Sequence, residues 1–244
     1  MEHTKTSAII LSREPIFEYD GSIVAFTRAH GKMNLIAKGL YKQSAKLSAV
    51  LLSSNLVYLT LTKGTRWHIT GAKTTLPFSN RLCEPRLLYL SSIVREILIE
   101  LFPEEERSDA IFEKAQNCFT LLVSKKHSLR AKELIVYRFI LAVFKEQGLL
   151  PDFSKCATDK KKIEKDKPRY WEENRGILCK VCVKKVDSEV IELPKSFTSI
   201  AEYTTQNKLS KKERIGISKM VQDIYSHEHH EKLIALTAWE ESLV

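Results

Sequence analysis

The hydrophobic pattern of this chain changes period near residue 80, and that change fixes its class. Over residues 1–76 the apolar residues come in short, β-rich runs separated by turn residues. Residues 7–11 form a first apolar run. Residues 23–27 form a second, after a turn on Tyr19, Asp20 and Gly21. His30 and Gly31 turn the chain into a third run, 33–38. After a bend at Gly39, residues 44–52 are expected as a short helix or an irregular crossing. Residues 57–61 alternate, and Lys63 and Gly64 turn them into a fifth run, 66–70. Glycine at such turns supplies the positive φ that other residues adopt at a cost. Five short strands with tight turns predict a small closed barrel. The five-stranded OB-fold is the candidate, since it binds single strands on a basic, aromatic-bearing face.

From Glu84 the period becomes 3.6. Leu87, Leu90, Val94, Ile97 and Leu101 share one face, and Pro103 ends that helix. Ser108 and Asp109 cap a second helix through Phe112, Ala115 and Phe119. A third, over 129–147, is apolar nearly all round and is expected at the centre of a bundle, with Gly148 as its C-terminal cap. Residues 152–185 are lysine-rich with interleaved acids and hold Cys156, Cys179 and Cys182. A strand is expected over 186–193 and a helix over 196–206. A further helix starts at Ser210, which forms a capping box with Glu213. The fold class is therefore α+β: an N-terminal OB-fold barrel (1–80) packed on a helical domain (81–151), a knuckle-like, cysteine-containing insertion (152–193), and C-terminal helices completing the helical domain (194–244).

Charge is distributed unevenly. Between Asp20 and Glu84 there is no acid, while nine lysines and arginines fall in that window; nine is also the formal net charge of the 244-residue chain. The remainder balances to zero. A cation-rich, acid-free segment is the electrostatic footprint of a polyanion-binding face. Lysine and arginine neutralise phosphates, and aromatic rings stack on bases. The candidate DNA-binding residues are Arg28, Lys32, Lys38, Tyr41, Lys42, Lys46, Arg66 and Trp67. Tyr41 and Trp67, beside cations, are the expected surface aromatics; Phe26 and Tyr58, in apolar runs, are expected to point inward.

Cys179 and Cys182 make a C-x2-C knuckle, half of the usual tetrahedral zinc site. The upstream pair is Cys156 and Asp159, with an aspartate in the fourth place. Structural zinc sites mostly use Cys and His. The expectation is a knuckle that folds without stoichiometric zinc or holds it weakly, and no other cofactor. His227, His229 and His230 are expected on a solvated helix end. No G-x-S-x-G, Walker or H-E-x-x-H motif is present, and the barrel segment lacks the clustered carboxylates of two-metal chemistry. No enzyme activity is expected. Five scattered cysteines, a non-signal N-terminus and no apolar run of about 18 residues predict a cytoplasmic protein with reduced thiols.

The order of parts resembles the bacterial recombination mediator RecO family. The resemblance rests on residues 7–11 and 23–27, and most of all on Gly31-Lys32 followed by Ala37-Lys38-Gly39. It continues through Ser44, Lys46 and Gly64, and the layout of the rest fits. It implies an OB-fold, a helical domain and, in many members, a four-cysteine zinc module. It also implies binding of single- and double-stranded DNA, and annealing of complementary strands. The implied partners are RecR, the C-terminal tail of single-stranded-DNA-binding protein and, indirectly, RecA, whose loading is assisted in recombinational repair; a nucleoid-associated location follows. The sequence departs from the family at Asp159, and at Leu40-Tyr41, where a basic residue is usual. The rival readings are an RNA-binding OB module and a metal-dependent nuclease.

Overall fold

The computed structural model describes residues 2–78, 84–164, 167–173, 175–193 and 210–241. They fall in two compact units, Met1–Lys126 and His127–Val244. The first unit thus takes in two helices that follow the barrel, past the change of period at residue 80.

Five strands close the barrel in the order β1-β2-β3-β5-β4, the OB arrangement. They are β1 (Glu2–Ile16), β2 (Asp20–Thr27), β3 (Gly31–Ala37), β4 (Leu56–Lys63) and β5 (Trp67–Leu76). β1 is long because it serves both sides of the closure. Its first half pairs with β4 and its second half with β2, and the register shifts between Ile10 and Ser12, where the strand bends. Alternation fills the interior with Ala8, Ile10, Ile23, Ala25, Met33, Leu35, Val57, Leu59 and Leu61. Residues 38–55 form successive turns rather than a helix, and bring Leu40 and Leu51 into the same core.

Two aromatic assignments are corrected here. With Val57, Leu59 and Leu61 inward, the two-residue period turns Tyr58 out, and it is 46% exposed. Trp67 shares its face with Ile69 and lies in the core at 7% exposure. Phe26 is buried as expected, meeting Phe102 edge to face at a 5.3 Å centroid distance.

The β3–β5 seam is short. Only Leu35↔Trp67 and Ile36↔His68 pair, in parallel. Beyond it, the chain leaving helix α1 (Pro85–Glu100) runs along β3. Glu104 bridges Lys32 in parallel, and Glu105 N–H donates to the Lys32 carbonyl at 2.8 Å. This strap satisfies backbone groups that an open edge would leave to solvent. It presses close: Gly31 has φ +65°, and a Cβ there would sit 1.8 Å from the Glu106 carbonyl oxygen. Helix α2 (Asp109–Leu122) follows, capped by Ser108 through the Ile111 N–H at 3.3 Å.

In the second unit, α3 (Leu129–Glu146) is buried on most sides, as its composition predicts. Three short strands, β6 (Arg169–Glu172), β7 (Gly176–Leu178) and β8 (Ile191–Leu193), make a sheet in the order β7-β6-β8. The strand expected over 186–193 is thus confined to its last three residues. Helix α4 (Lys211–His229) opens on the capping box of Ser210 and Glu213. It packs on β8 so closely that a Cβ at Gly216 would meet Ile191 at 2.6 Å. Helix α5 (Ile234–Glu241) follows. The helix expected over 196–206 lies outside the described residues.

Candidate nucleic-acid interface

A groove of about 620 Å³ runs over the outer face of β1, β2 and β3, where an OB-fold would be expected to take a strand. Its lining includes Glu14, Glu104 and Glu105, against Arg66. The strap supplies two of the three acids. Asn34 donates to Glu104, and Trp67 Nε1–H donates to Glu105 at 3.2 Å. The acid-free window of the sequence is therefore not acid-free in space. Residues from beyond it take two of its cations. Arg28 pairs with Glu113, with Asp109 at 3.9 Å. Lys32 Nζ donates to the Ile99 carbonyl at the end of α1.

Of the cations left for a ligand, Lys63, Arg66 and Lys73 are exposed along β4, β5 and their turn, and a group of three is gathered in the turns after β3. Lys38, Tyr41, Lys42 and Lys46 lie in the turns after β3 and are all exposed. Two backbone contacts tie these turns to the β1–β2 turn. Gly39 N–H donates to Asp20 Oδ1 at 2.7 Å, and Tyr41 N–H donates to the Tyr19 carbonyl at 2.9 Å. Gly39 needs its φ of +65° to make the bend. The result interleaves rings and cations. Arg13 lies 5.9 Å over the Tyr41 ring, and Lys42 Nζ 5.8 Å over that of Tyr19. Phe17, at the tip of the neighbouring turn, is 90% exposed with φ +54°. Tyr41 is 37% exposed.

The structure thus brings together Lys38, Tyr41, Lys42 and Lys46, and adds Arg13, Phe17 and Tyr19. It sets apart Arg28 and Lys32, which face the helices, Arg66 on the groove, and Trp67, whose ring also lies 5.2 Å from Lys63 Nζ. Arg13 and the two aromatics were missed because they precede the acid-free window. The turn residues Tyr19 and Asp20 were the available signal.

In the second unit, Cys156, Asp159, Cys179 and Cys182 converge. Their ligand atoms all lie within 4.8 Å of one another, so the cluster is suited to hold a metal ion. Cys179 and Cys182 lie in the segment directly after β7, and Cys156 is fixed by its N–H to the Lys161 carbonyl at 2.9 Å. Arg169 organises the loop from within. Its guanidinium donates to the carbonyls of Phe153, Ile163, Glu164 and Lys167. The Lys161 backbone N–H donates to Asp159 Oδ1 at 3.1 Å and holds that carboxyl below its usual range, so it is ionised at neutral pH. Burial pushes the Cys182 thiol up to about 12.

A five-stranded OB barrel, with a ring-and-cation patch at its loop end, continues into a helical unit bearing a three-thiol knuckle: these parts define a class of two-unit proteins built on an OB barrel. Residues 1–73 match the family model described as Recombination protein O N terminal, and residues 84–233 match that described as Recombination protein O C terminal. The chain belongs to the RecO family, a family of DNA repair mediators and not of enzymes. Similar proteins carry the name DNA repair protein RecO. That of Syntrophobacter fumaroxidans is 28% identical over 73% of this chain and 70% of its own length. That of a Dehalococcoides mccartyi strain is 26% identical over 89% of this chain and 84% of its own. That of Caldanaerobacter subterraneus subsp. tengcongensis is 24% identical over 91% and 88%. Among the described residues, no helix is long and apolar enough to cross a membrane.

Proposed function

We propose that this protein binds single- and double-stranded DNA through the loop end of its barrel and anneals complementary strands. With RecR it assists the loading of RecA onto strands coated by single-stranded-DNA-binding protein. The observation that carries this reading is the patch of Lys38, Lys42 and Lys46 interleaved with Phe17, Tyr19 and Tyr41 on an OB barrel, with Arg13, which also donates to the Ser48 carbonyl at 2.9 Å, against the Tyr41 ring. Cations meet phosphates and rings meet bases, which is what a sequence-tolerant strand binder needs. RecR and the acidic tail of the strand-coating protein are assigned to the helical unit, and the setting is cytoplasmic, at the nucleoid.

Binding of a short fluorescent single strand tests the site. Tyr41→Ala should weaken it by about 1–3 kcal/mol with little change in salt dependence, because a stacking ring releases no counterions. A parallel RNA strand separates the RNA-binding reading, which requires discrimination on the 2′-hydroxyl. Cleavage of the strand with magnesium would instead favour the nuclease reading.

Against the expectation drawn from Asp159 in the fourth place, we also propose that the knuckle holds zinc. Tetrahedral zinc with bonds of about 2.3 Å to sulfur places its ligands roughly 3.8 Å apart. Three thiols and the Asp159 carboxylate, already within 4.8 Å, need only a small contraction. The metal would tie the loop to the turn after β7. The thiols lose protons on binding, so affinity rises with pH. Protein washed with chelator at pH 7 should retain close to one equivalent of zinc and release it as the pH is lowered. Cys179→Ser should abolish retention. Metal-free protein with an unchanged melting curve would refute the assignment.

A further inference from the structure

The charge balance outside the acid-free window is an average of two opposed parts. Between Lys155 and Lys185 stand eleven lysines and arginines against five acids. The rest of the balanced sequence is correspondingly acidic. We propose that the knuckle is a second polyphosphate-binding surface, which grips the nucleic-acid backbone independently of the barrel. This extends the DNA-binding reading above to a site on the other unit.

Geometry concentrates the charge. Lys160, Lys161 and Lys162 follow Asp159 directly. Lys180 follows Cys179, and Lys184 and Lys185 lie two and three residues past Cys182. The convergence of Asp159, Cys179 and Cys182 therefore draws two lysine groups, 18 residues apart in sequence, onto one rim. All six lysines are exposed. Among the described residues, none of them forms an ion pair. The loop is fixed from within by Arg169 and by backbone bonds such as Ala157 N–H to the Ile177 carbonyl at 2.7 Å. Like charges pinned on a rigid loop cannot relax apart, so their field is relieved by a polyanion.

The chemistry of the rim selects the ligand. Lysine ammoniums act on phosphate as point charges, without the planar fork that reads base edges. Trp171 is buried and Tyr170 half-buried, so among the described residues of this module no exposed ring offers a stacking platform. The surface should take single strands and duplexes alike through phosphate contacts only, whereas the barrel end adds rings that stack on unpaired bases. A chain with one such grip on each unit can hold two strands at once, which is what annealing demands.

The test uses the full chain and a fluorescent single strand and duplex of equal length, titrated across a salt series. Lys180→Gln, Lys184→Gln and Lys185→Gln together should flatten the log–log salt slope by about 2 on single strands and by about 2.7 on duplex. The triple Lys160→Gln, Lys161→Gln, Lys162→Gln should do the same from the other side of the rim, and serves if the first triple fails to fold. Both should keep the wild-type melting curve. Unchanged slopes in a folded triple overturn the proposal. So does a triple that loses binding to a polyglutamate peptide while its DNA binding is intact, since the rim would then dock an acidic protein. The barrel reading fails separately, if charge reversal at Lys38 and Lys42 is without effect.

Discussion

Gly31→Ala should destabilise the barrel unit by about 3–5 kcal/mol, placing it among the costliest single substitutions. Two penalties act together. The backbone at residue 31 has φ +65°, which a non-glycine residue adopts with strain of roughly 1–3 kcal/mol. The new methyl group would also sit 1.8 Å from the Glu106 carbonyl oxygen, a backbone atom that no side-chain rotation can move away. The strap must lift, and its bonds to Lys32 go with it. Urea and thermal unfolding measure the effect, with the midpoint temperature falling by roughly 10–20 °C. Gly148→Ala is the control, since Gly148 also has positive φ but nothing lies within 4 Å of its would-be Cβ. Equal losses at the two positions would show that the strap's close approach contributes nothing.

Reversing charge at Lys38 and Lys42 together should weaken single-strand binding by at least about 25-fold at 0.1 M salt. Each phosphate contact on a single strand contributes a slope near −0.7. Two lost contacts therefore flatten the salt plot by about 1.4, and at 0.1 M that corresponds to roughly this factor. The same change at Arg28 should do much less, because Glu113 and Asp109 already occupy that guanidinium. Phosphate contacts carry no base code, so the loss should be uniform across sequences. A pair variant that binds and anneals like the wild type would reduce the loop end to a solvated surface.

The sequence was most legible where one local rule acted alone. Strand period and glycine turns placed the barrel, helical period and apolar composition placed α1 and α3, serine caps placed α2 and α4, and the closed order of the strands agrees with the OB expectation. The family resemblance, carried by a short Gly-Lys and Ala-Lys-Gly pattern, agrees with the matched families. What was not legible depended on long-range placement. Tyr58 and Trp67 were assigned by their neighbours in sequence, whereas strand parity decides which way each points. The one-signed field was drawn from a sequence window, but Glu104, Glu105, Asp109 and Glu113 reach that surface from beyond it. The convergence of Asp159 with three cysteines could be suspected from spacing, yet the hydrogen bond that orients its carboxylate comes from the Lys161 N–H, which spacing does not describe.

The strap along β3 bears on how the domain can be dissected. Cutting the chain at residue 80, where the sequence changes character, removes Ile99, Glu104, Asp109 and Glu113 together. Arg28 and Lys32 then lose their internal partners, and an acidic wall leaves the groove. Such a fragment acquires two cations that the intact protein keeps occupied. It should bind polyanions with a salt slope steeper by about 1.4 than the native barrel's own share, and so overstate the grip that the whole molecule exerts. The segment from the end of α1 to the first turns of α2 thus acts as a tethered polyanion substitute, offering carboxylates and a carbonyl to the cations of the face that it covers.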